Sequence, residues 1–468
     1  MTRHVPALIV GGGISGLVCA HALRKAGMHA LLVEASDRPG GSIHSLRRDG
    51  YLLELGPQSF SSTPPLLALC AELGIEADLV QAPPHAPRYI LVGGALKQVP
   101  LSPPAFLTSD LVGARTKWAV ARDLFGKSHA PDQDESVAAF VRRKFSAELL
   151  DRLVGPFVSG VYAGDPERLS LRSAFPMLHD AEKRRGSVIR GMMAKSGERP
   201  RQRPTLQSFR DGTEAFARAI AAGLGDRLQL NASVTRVELD VAGTSFQLTI
   251  RTPGTEETIL ANNVIVATPA DVAGGLLRDV NPRLGSLLGA IEYAPVAVVS
   301  LGYRRSDVGH PLAGFGFLVP RSAGLRVLGT VWNSSLFPGR APDGEVLLTS
   351  FVGGATDPGA AALSPAELTS LVDSEVAPLM KICQDTAAGR GEPRPAKFRG
   401  SFSHVTIYPS ALPQYNLGHA DRLAAIEGHR TKFPNLWLAG NYLRGPSVGA
   451  CVEQSLSVAN EILSRMNR

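Results

Sequence analysis

The chain has 468 residues, 44% of them apolar, which is enough to bury a large core and to divide into two or three domains, since single cores seldom exceed roughly 250 to 300 residues. Its 49 Lys and Arg against 42 Asp and Glu leave a formal charge of +7 spread along the whole length. With no zinc-finger spacing, aromatic RNA-binding run or basic heptad helix, nucleic-acid recognition is excluded as a class. Cys19, Cys70, Cys383 and Cys451 stand far apart without a Cys-x-x-Cys, and the eleven histidines form no His-x-His or His-Glu-x-x-His. That argues against a disulfide framework or a metal site and for a reducing compartment.

From the N-terminus, Val5 to Val10 predicts a short buried strand, Gly11-Gly-Gly-Ile-Ser-Gly16 a tight turn, Leu17 to Ala26 a helix closed by Gly27, and His29 to Val33 a second strand. Gly11, Gly12, Gly13 and Gly16 interrupt the uncharged run after Arg3, so it does not suit a membrane anchor, and no other segment reaches the ~18 apolar residues of a span. In Gly-x-Gly-x-x-Gly, Gly11 permits the turn, Gly13 lets the backbone approach a pyrophosphate and Gly16 allows helix to pack on strand. Ile14 and Ser15 belong to the turn that leads into the helix, whose free N–H groups suit phosphates. Glu34 ends the second strand about 20 residues on, where an acid accepts hydrogen bonds from ribose hydroxyls and disfavours NADP. Strand, turn, helix and acid together predict a dinucleotide site. Directly after it come Ala35, Arg38, Gly40, Gly41 and Ser42. This Glu-x-x-x-Arg-x-Gly-Gly resembles the flavin amine oxidase and protoporphyrinogen oxidase superfamily, which implies FAD rather than NAD.

Further along, Leu66 to about Arg203 is mostly helical in pattern, Leu230 to Leu239 and Asn263 to Thr268 read as strands, and Tyr293 to Gly353 alternates as strands do. Leu436 to Asn441 predicts a strand, Tyr442 to Gly449 a loop, and Ala450 to Arg465 a helix whose N-terminus would face a flavin ring. Gly197 to Pro204 is expected to be a mobile loop. Two stretches are candidates to touch an anionic membrane surface: Pro103 to Lys127, with Phe106, Trp118 and Phe125 among basic residues, and Lys183 to Arg203. No second Gly-x-Gly-x-x-Gly signals a pyridine-nucleotide site, so reduced flavin would pass its electrons to oxygen or a quinone.

Longer segments are similar to oxygen-dependent protoporphyrinogen oxidase. They are Gly155-Pro-Phe-Val-Ser-Gly160-Val-Tyr-Ala-Gly164-Asp-Pro, Gly314-Phe-Gly-Phe-Leu-Val-Pro320, Leu328-Gly-Thr-Val-Trp-Asn-Ser-Ser-Leu-Phe-Pro338, Ala411-Leu-Pro413-Gln-Tyr415-Asn-Leu-Gly-His419 and Leu438-Ala-Gly440-Asn-Tyr-Leu-Arg-Gly-Pro-Ser-Val-Gly. The resemblance implies that Arg88 binds a propionate, that Leu318, Val331 and Phe351 line a porphyrin slot, and that Gly160 brings backbone close to the macrocycle. Val331 is smaller than the leucine often found there. It also implies flavin contacts at Gly56, Pro57, Gln58, Ser59, Val234, Gly440, Pro446, Ser447 and Val448, with Gln58 standing where some members carry arginine.

The implied architecture is α/β: a Rossmann-like FAD-binding domain (1–65, 207–285, 400–468), a mixed-sheet substrate domain (80–100, 286–399) and a helical, membrane-associating domain (101–206). The implied reaction is the oxidation of protoporphyrinogen IX by non-covalent FAD and O2, giving hydrogen peroxide. Coproporphyrinogen III is the alternative substrate; a flavin amine oxidase or a non-catalytic porphyrin carrier is a more distant one. Expected partners are the porphyrinogen, O2, an anionic membrane surface, a ferrochelatase for hand-over and a second copy of the chain. The expected location is cytoplasmic, at the inner membrane face.

Overall fold

The structure, a computed structural model, describes residues 3–126, 131, 133–196, 205–241, 243–382 and 398–466. The expected loop Gly197 to Pro204, the end of the basic Lys183 to Arg203 stretch, and Cys383 lie outside the described residues.

Two seven-stranded sheets organise the chain. In the first, Arg3–Val10 runs parallel to Ala30–Val33 on one side and to Thr255–Val266 on the other. Leu228–Gln229 extends the parallel part, Leu436–Leu438 pairs parallel with the end of Thr255–Val266, and Phe246–Thr252 and Ser233–Leu239 complete the sheet antiparallel. Its central strands read as unbroken apolar runs because both faces are covered. Ala7, Ile9 and Leu32 pack under the helix Ile14–Lys25 and the C-terminal helix Val448–Met466, whereas Leu8, Val10 and Leu31 point into a second cluster on the other side.

The second sheet has the order Phe402–Pro413, Tyr293–Arg304, Glu345–Gly353, Val327–Trp332, Gly316–Leu318, Arg88–Val92, Ala95–Gln98. It is mixed, because Gly316–Leu318 and Arg88–Val92 are parallel while the other pairs are antiparallel. Pro365–Leu379, opened by a Ser364–Glu367 capping box, covers one face through Leu368, Val372 and Val376. Phe402–Pro413, which local pattern groups with the third FAD-binding segment, is the edge strand here.

Three expectations are corrected. The first helix begins at Ile14, three residues before Leu17, because Gly13 is the extended N-cap and the Gly16 carbon backbone already packs as helix. The C-terminal helix likewise begins at Val448, not Ala450. Within the stretch read as helical, Arg88–Val92 and Ala95–Gln98 form a hairpin. Its two-residue turn is Gly93-Gly94, at φ +59° and +78°, the conformation that matches strand twist and that glycine adopts without strain. Beyond the hairpin the helices do follow: Pro103–Thr108, Ala114–Asp123, Val137–Lys144, Gly155–Tyr162, Leu171–Ala174, Pro176–Arg185 and Val188–Ser196.

Candidate active site

The glycine turn is built for a close approach. Gly11 sits at φ +103°, and a Cβ on Gly16 would stand 1.9 Å from the Gly11 carbonyl oxygen, whereas a Cβ on Gly13 would meet nothing within 4 Å. Gly13 is therefore the open position, and the first-turn N–H groups of Ile14–Lys25 lie beside it. Gly12 is buried; its N–H donates to Glu34 Oε2 at 2.6 Å, while Glu34 Oε1 accepts from the Ser36 N–H and hydroxyl at 2.8 and 2.6 Å. The carboxylate is thus held at the strand end with lone pairs left for further donors. Gly40 N–H donates to Gly12 O at 2.8 Å, and the Arg38 guanidinium donates to Gly41 O at 2.6 Å and Ile43 O at 3.3 Å. The second glycine pair is thereby stitched onto the first turn. Ala35 and Ser42 are exposed on the same rim, Ser15 is buried, and Val234 packs with Val10 and Val33 beneath the Glu34 strand end. A carboxylate, helix N–H groups and an open glycine backbone in one place fit the ribose and pyrophosphate of FAD.

The segment Gly56-Pro57-Gln58-Ser59 follows the strand Tyr51–Glu54, and Gly56 lies so close to Ser42 O that a Cβ would be 1.9 Å from it. Gln58 is buried: its Nε2 donates to Glu54 O at 2.8 Å and Gly56 O at 3.0 Å, and its Oε1 accepts from Asn333 Nδ2 at 2.7 Å. Beneath it, Glu54 accepts from Ser45 Oγ, Thr213 N–H and Thr213 Oγ1 at 2.6, 2.9 and 2.6 Å. Arg340 lies 3.2 Å from Glu54 as a charge pair without aligned hydrogen-bond geometry, and it donates to Ser208 Oγ at 2.6 Å. Burial pushes the Glu54 carboxyl up against the opposing pull of Arg340, and it pulls Arg340 down.

On the C-terminal side, Tyr415 donates to Asn441 O and His419 Nε2–H to Tyr442 O at 3.0 Å, with the two rings stacked 4.4 Å apart. Gly440 N–H donates to Gln454 Oε1 at 3.2 Å. Burial lowers the His419 imidazole to about 4, so it stays a neutral donor. These bonds clamp the loop Gly440 to Ser447 and deliver Pro446, the exposed Ser447 and the buried Val448 to the N-terminus of the last helix. There Ser447 Oγ accepts the Ala450 N–H at 3.2 Å, and the Cys451 thiol meets Ser15 at the start of the first helix. The motif around Tyr415 and His419 is visible in the sequence; its pairing with Asn441 and Tyr442, 26 and 23 residues on, is not.

The expected slot residues come together on the second sheet. Arg88 pairs with Gly316, Gly316 with Val331, and Val331 with Thr349; one level along, Ile90 pairs with Leu318 and Gly329 with both Leu318 and Phe351. Paired residues and alternate residues of a strand share a face, so Arg88, Leu318, Val331 and Phe351 all lie on one side of the sheet. Gly160, on Gly155–Tyr162, stands over that face: a Cβ there would lie 2.6 Å from Leu318 Cδ2. Phe157 and Val161, on the same stripe of that helix, are 49% and 41% exposed beside it. Sequence reasoning left them out, although their i, i+4 spacing around Gly160 is the signal that finds them. Arg88 is exposed, lies over the Phe315 ring at 5.4 Å and, among the described residues, makes no ion pair.

Residues 14–463, almost the whole chain, match the family described as flavin containing amine oxidoreductase. The chain belongs to that family. As a flavin containing amine oxidoreductase family member it is an FAD-dependent oxidoreductase, and the turn, Glu34 and the Arg38–Gly41 stitch are the residues that would hold the cofactor. It is 35% identical to protoporphyrinogen oxidase 1, chloroplastic, of Arabidopsis thaliana, over 98% of this chain and 88% of the relative. It is 28% identical to coproporphyrinogen III oxidase of Staphylococcus aureus, over 100% of both. A crystal structure from Exiguobacterium sp. 255-15 covers 99% of each chain with a TM-score of 0.78 at 24% identity, a likeness of fold.

Proposed function

We propose that this family member oxidises protoporphyrinogen IX to protoporphyrin IX, with O2 as electron acceptor and hydrogen peroxide as the reduced product. The observation that carries the reading is full-length likeness to the chloroplastic protoporphyrinogen oxidases, at 34 to 36% identity over 97 to 98% of this chain. The slot face supports it. Leu318, Val331 and Phe351 offer an apolar wall for a large macrocycle, Gly160 lets its helix pack directly against Leu318, and Phe157 and Val161 stand exposed on the helix side. Arg88, at the end of that face and without a carboxylate partner among the described residues, would orient a propionate at the rim. When bound, FAD supplies the hydride-accepting ring. The chain supplies position and exclusion of water, and the N-terminus of Val448–Met466 adds positive potential. None of the named slot side chains is a general base, so pyrrole protons are left to solvent.

The test is porphyrin fluorescence in air after mixing the protein with protoporphyrinogen IX or, separately, coproporphyrinogen III. Faster oxidation of the first supports the reading. Preference for the second moves the protein to the reaction named for the Staphylococcus aureus and Bacillus subtilis relatives, each 28% identical over 98% or more of both chains. One cation at the slot rim favours the substrate with fewer propionates. No rate above the uncatalysed control with either overturns the proposal.

We further propose that the helical region docks on an anionic membrane face. Leu107, Trp118 and Phe125 are 59%, 70% and 85% exposed on or beside Pro103–Thr108 and Ala114–Asp123, among Arg115, Lys117 and Arg122. Among the described residues no helix is long and apolar enough to cross a membrane. Pelleting with phosphatidylglycerol vesicles that falls on Trp118→Ser/Phe125→Ser supports docking; full recovery in the supernatant at low salt overturns it.

A further inference from the structure

Two buried polar ties run between the segment after Tyr51–Glu54 and the short stretch 333–340 that follows the slot strand Val327–Trp332. One is Asn333 to Gln58 at 2.7 Å; the other is Arg340 to Glu54 at 3.2 Å. All four residues are at least nine-tenths buried. The direction of the first tie is fixed. Gln58 Nε2 faces the two carbonyls of Glu54 and Gly56, so its Oε1 must turn to Asn333, and Asn333 must answer with Nδ2. Asn333 Oδ1 is then buried without a partner among the described residues. An amide kept in this orientation, with one of its own atoms unsatisfied, is retained against a free-energy penalty. Its neighbours say what the tie connects: Asn333 lies two residues after Val331 of the slot face, and Gln58 lies within Gly56-Pro57-Gln58-Ser59.

We propose that Asn333 is a positioning residue for the flavin: through Gln58 it holds the Gly56 to Ser59 backbone in one arrangement and keys that backbone to the end of the slot strand. The proposal rests on the reading that this segment lies against the flavin. It adds that register between cofactor and substrate face is set by a side-chain amide from the substrate side. Glu54 and Arg340 anchor the base of the same segment, so loss of Asn333 frees only the Oε1 end of Gln58 and does not release Glu54.

The test uses the FAD-loaded protein and reads the flavin itself. On dilution, the return of free-flavin fluorescence gives FAD retention; the visible absorption band gives the flavin's surroundings; thermal unfolding gives stability. Asn333→Leu, close in shape but with no donor, is expected to weaken FAD retention by about ten-fold, shift the band and lower kcat with KM for the porphyrinogen held within about two-fold. Gln58→Leu/Asn333→Leu removes both ends of the tie and should recover the part of the lost stability that came from the unpaired Gln58 Oε1, though not the bonds of Gln58 Nε2 to Glu54 O and Gly56 O, while FAD retention stays low. Retention that recovers together with stability would reduce Asn333 to a structural contact and overturn the proposal, as would an unchanged band and retention in Asn333→Leu. Because retention and spectrum need no substrate, these outcomes remain readable if the chain oxidises neither porphyrinogen, so failure of this inference is distinct from failure of the proposed function.

Discussion

The glycine turn and the sheet face proposed as the slot are made in opposite ways. The turn and its acid come from one run of chain, residues 11–41, in which each contact joins near neighbours: Gly16 over Gly11, Gly12 to Glu34, Gly40 to Gly12. The slot face draws Arg88, Gly160, Leu318, Val331 and Phe351 from four strands and a helix spread over residues 88–353. A surface made locally fails when its backbone cannot close; one assembled at long range fails by losing fit while the fold survives.

That contrast can be broken most severely at Gly16. A side chain there must displace the Gly11 carbonyl, 1.9 Å from the Cβ position, so Gly16→Val should cut FAD retention by roughly 100-fold or more, read as flavin absorbance per protein after gel filtration. Retention at the wild-type level would show that the turn is not the cofactor cradle. Arg88→Ala should act on the other surface alone. It should raise KM for the porphyrinogen by roughly 30-fold, the loss of one charge-assisted contact, with an unaltered flavin spectrum. A changed spectrum would mean that the two surfaces are not separable in this way.

A smaller effect lies in the clamp that joins them. His419 is neutral in the fold because burial depresses it from 6.5 to about 4, so the unfolded chain binds its proton first as pH falls. Stability from this group is therefore complete above pH 6.5 and drains away as pH drops toward 4, by about 3 kcal/mol in all. Thermal unfolding of wild type against His419→Asn should show the two profiles differing in slope across that window; parallel profiles would remove His419 from the account. The least effect is expected from Val331→Leu, which adds one methylene to a wall residue packed beside Phe315 and Phe351. It should change KM by no more than about three-fold, and a larger change would place Val331 in tight contact with substrate.

How much of this was legible before folding differs between the two surfaces. Gly11, Gly13, Gly16 and Glu34 announce their roles by spacing, because a turn that must close over three residues and an acid that must sit at a strand end leave few alternatives. Even so, the sequence pattern predicts the helix start three residues late, since the glycines that mark a turn also make its first helical turn look irregular. Phe157 and Val161 were readable but unread. Asn333 was not readable: nothing in Trp-Asn-Ser-Ser says that its amide will meet Gln58, 275 positions earlier.

By itself the sequence determined the nucleotide turn, the ribose acid, the apolar strands of the first sheet and the family to which the chain belongs. These rest on contacts between near neighbours, or on patterns that repeat along one strand. Only the tertiary structure decided that four slot residues share one sheet face, that Phe402–Pro413 edges the second sheet, that Tyr415 and His419 clamp the loop before the last helix, and that Asn333 reaches Gln58. The physical reason is that strand partnership and buried hydrogen-bond pairing are chosen by whichever distant groups satisfy each other when the layers close, and a local pattern carries the demand for a partner without carrying its address.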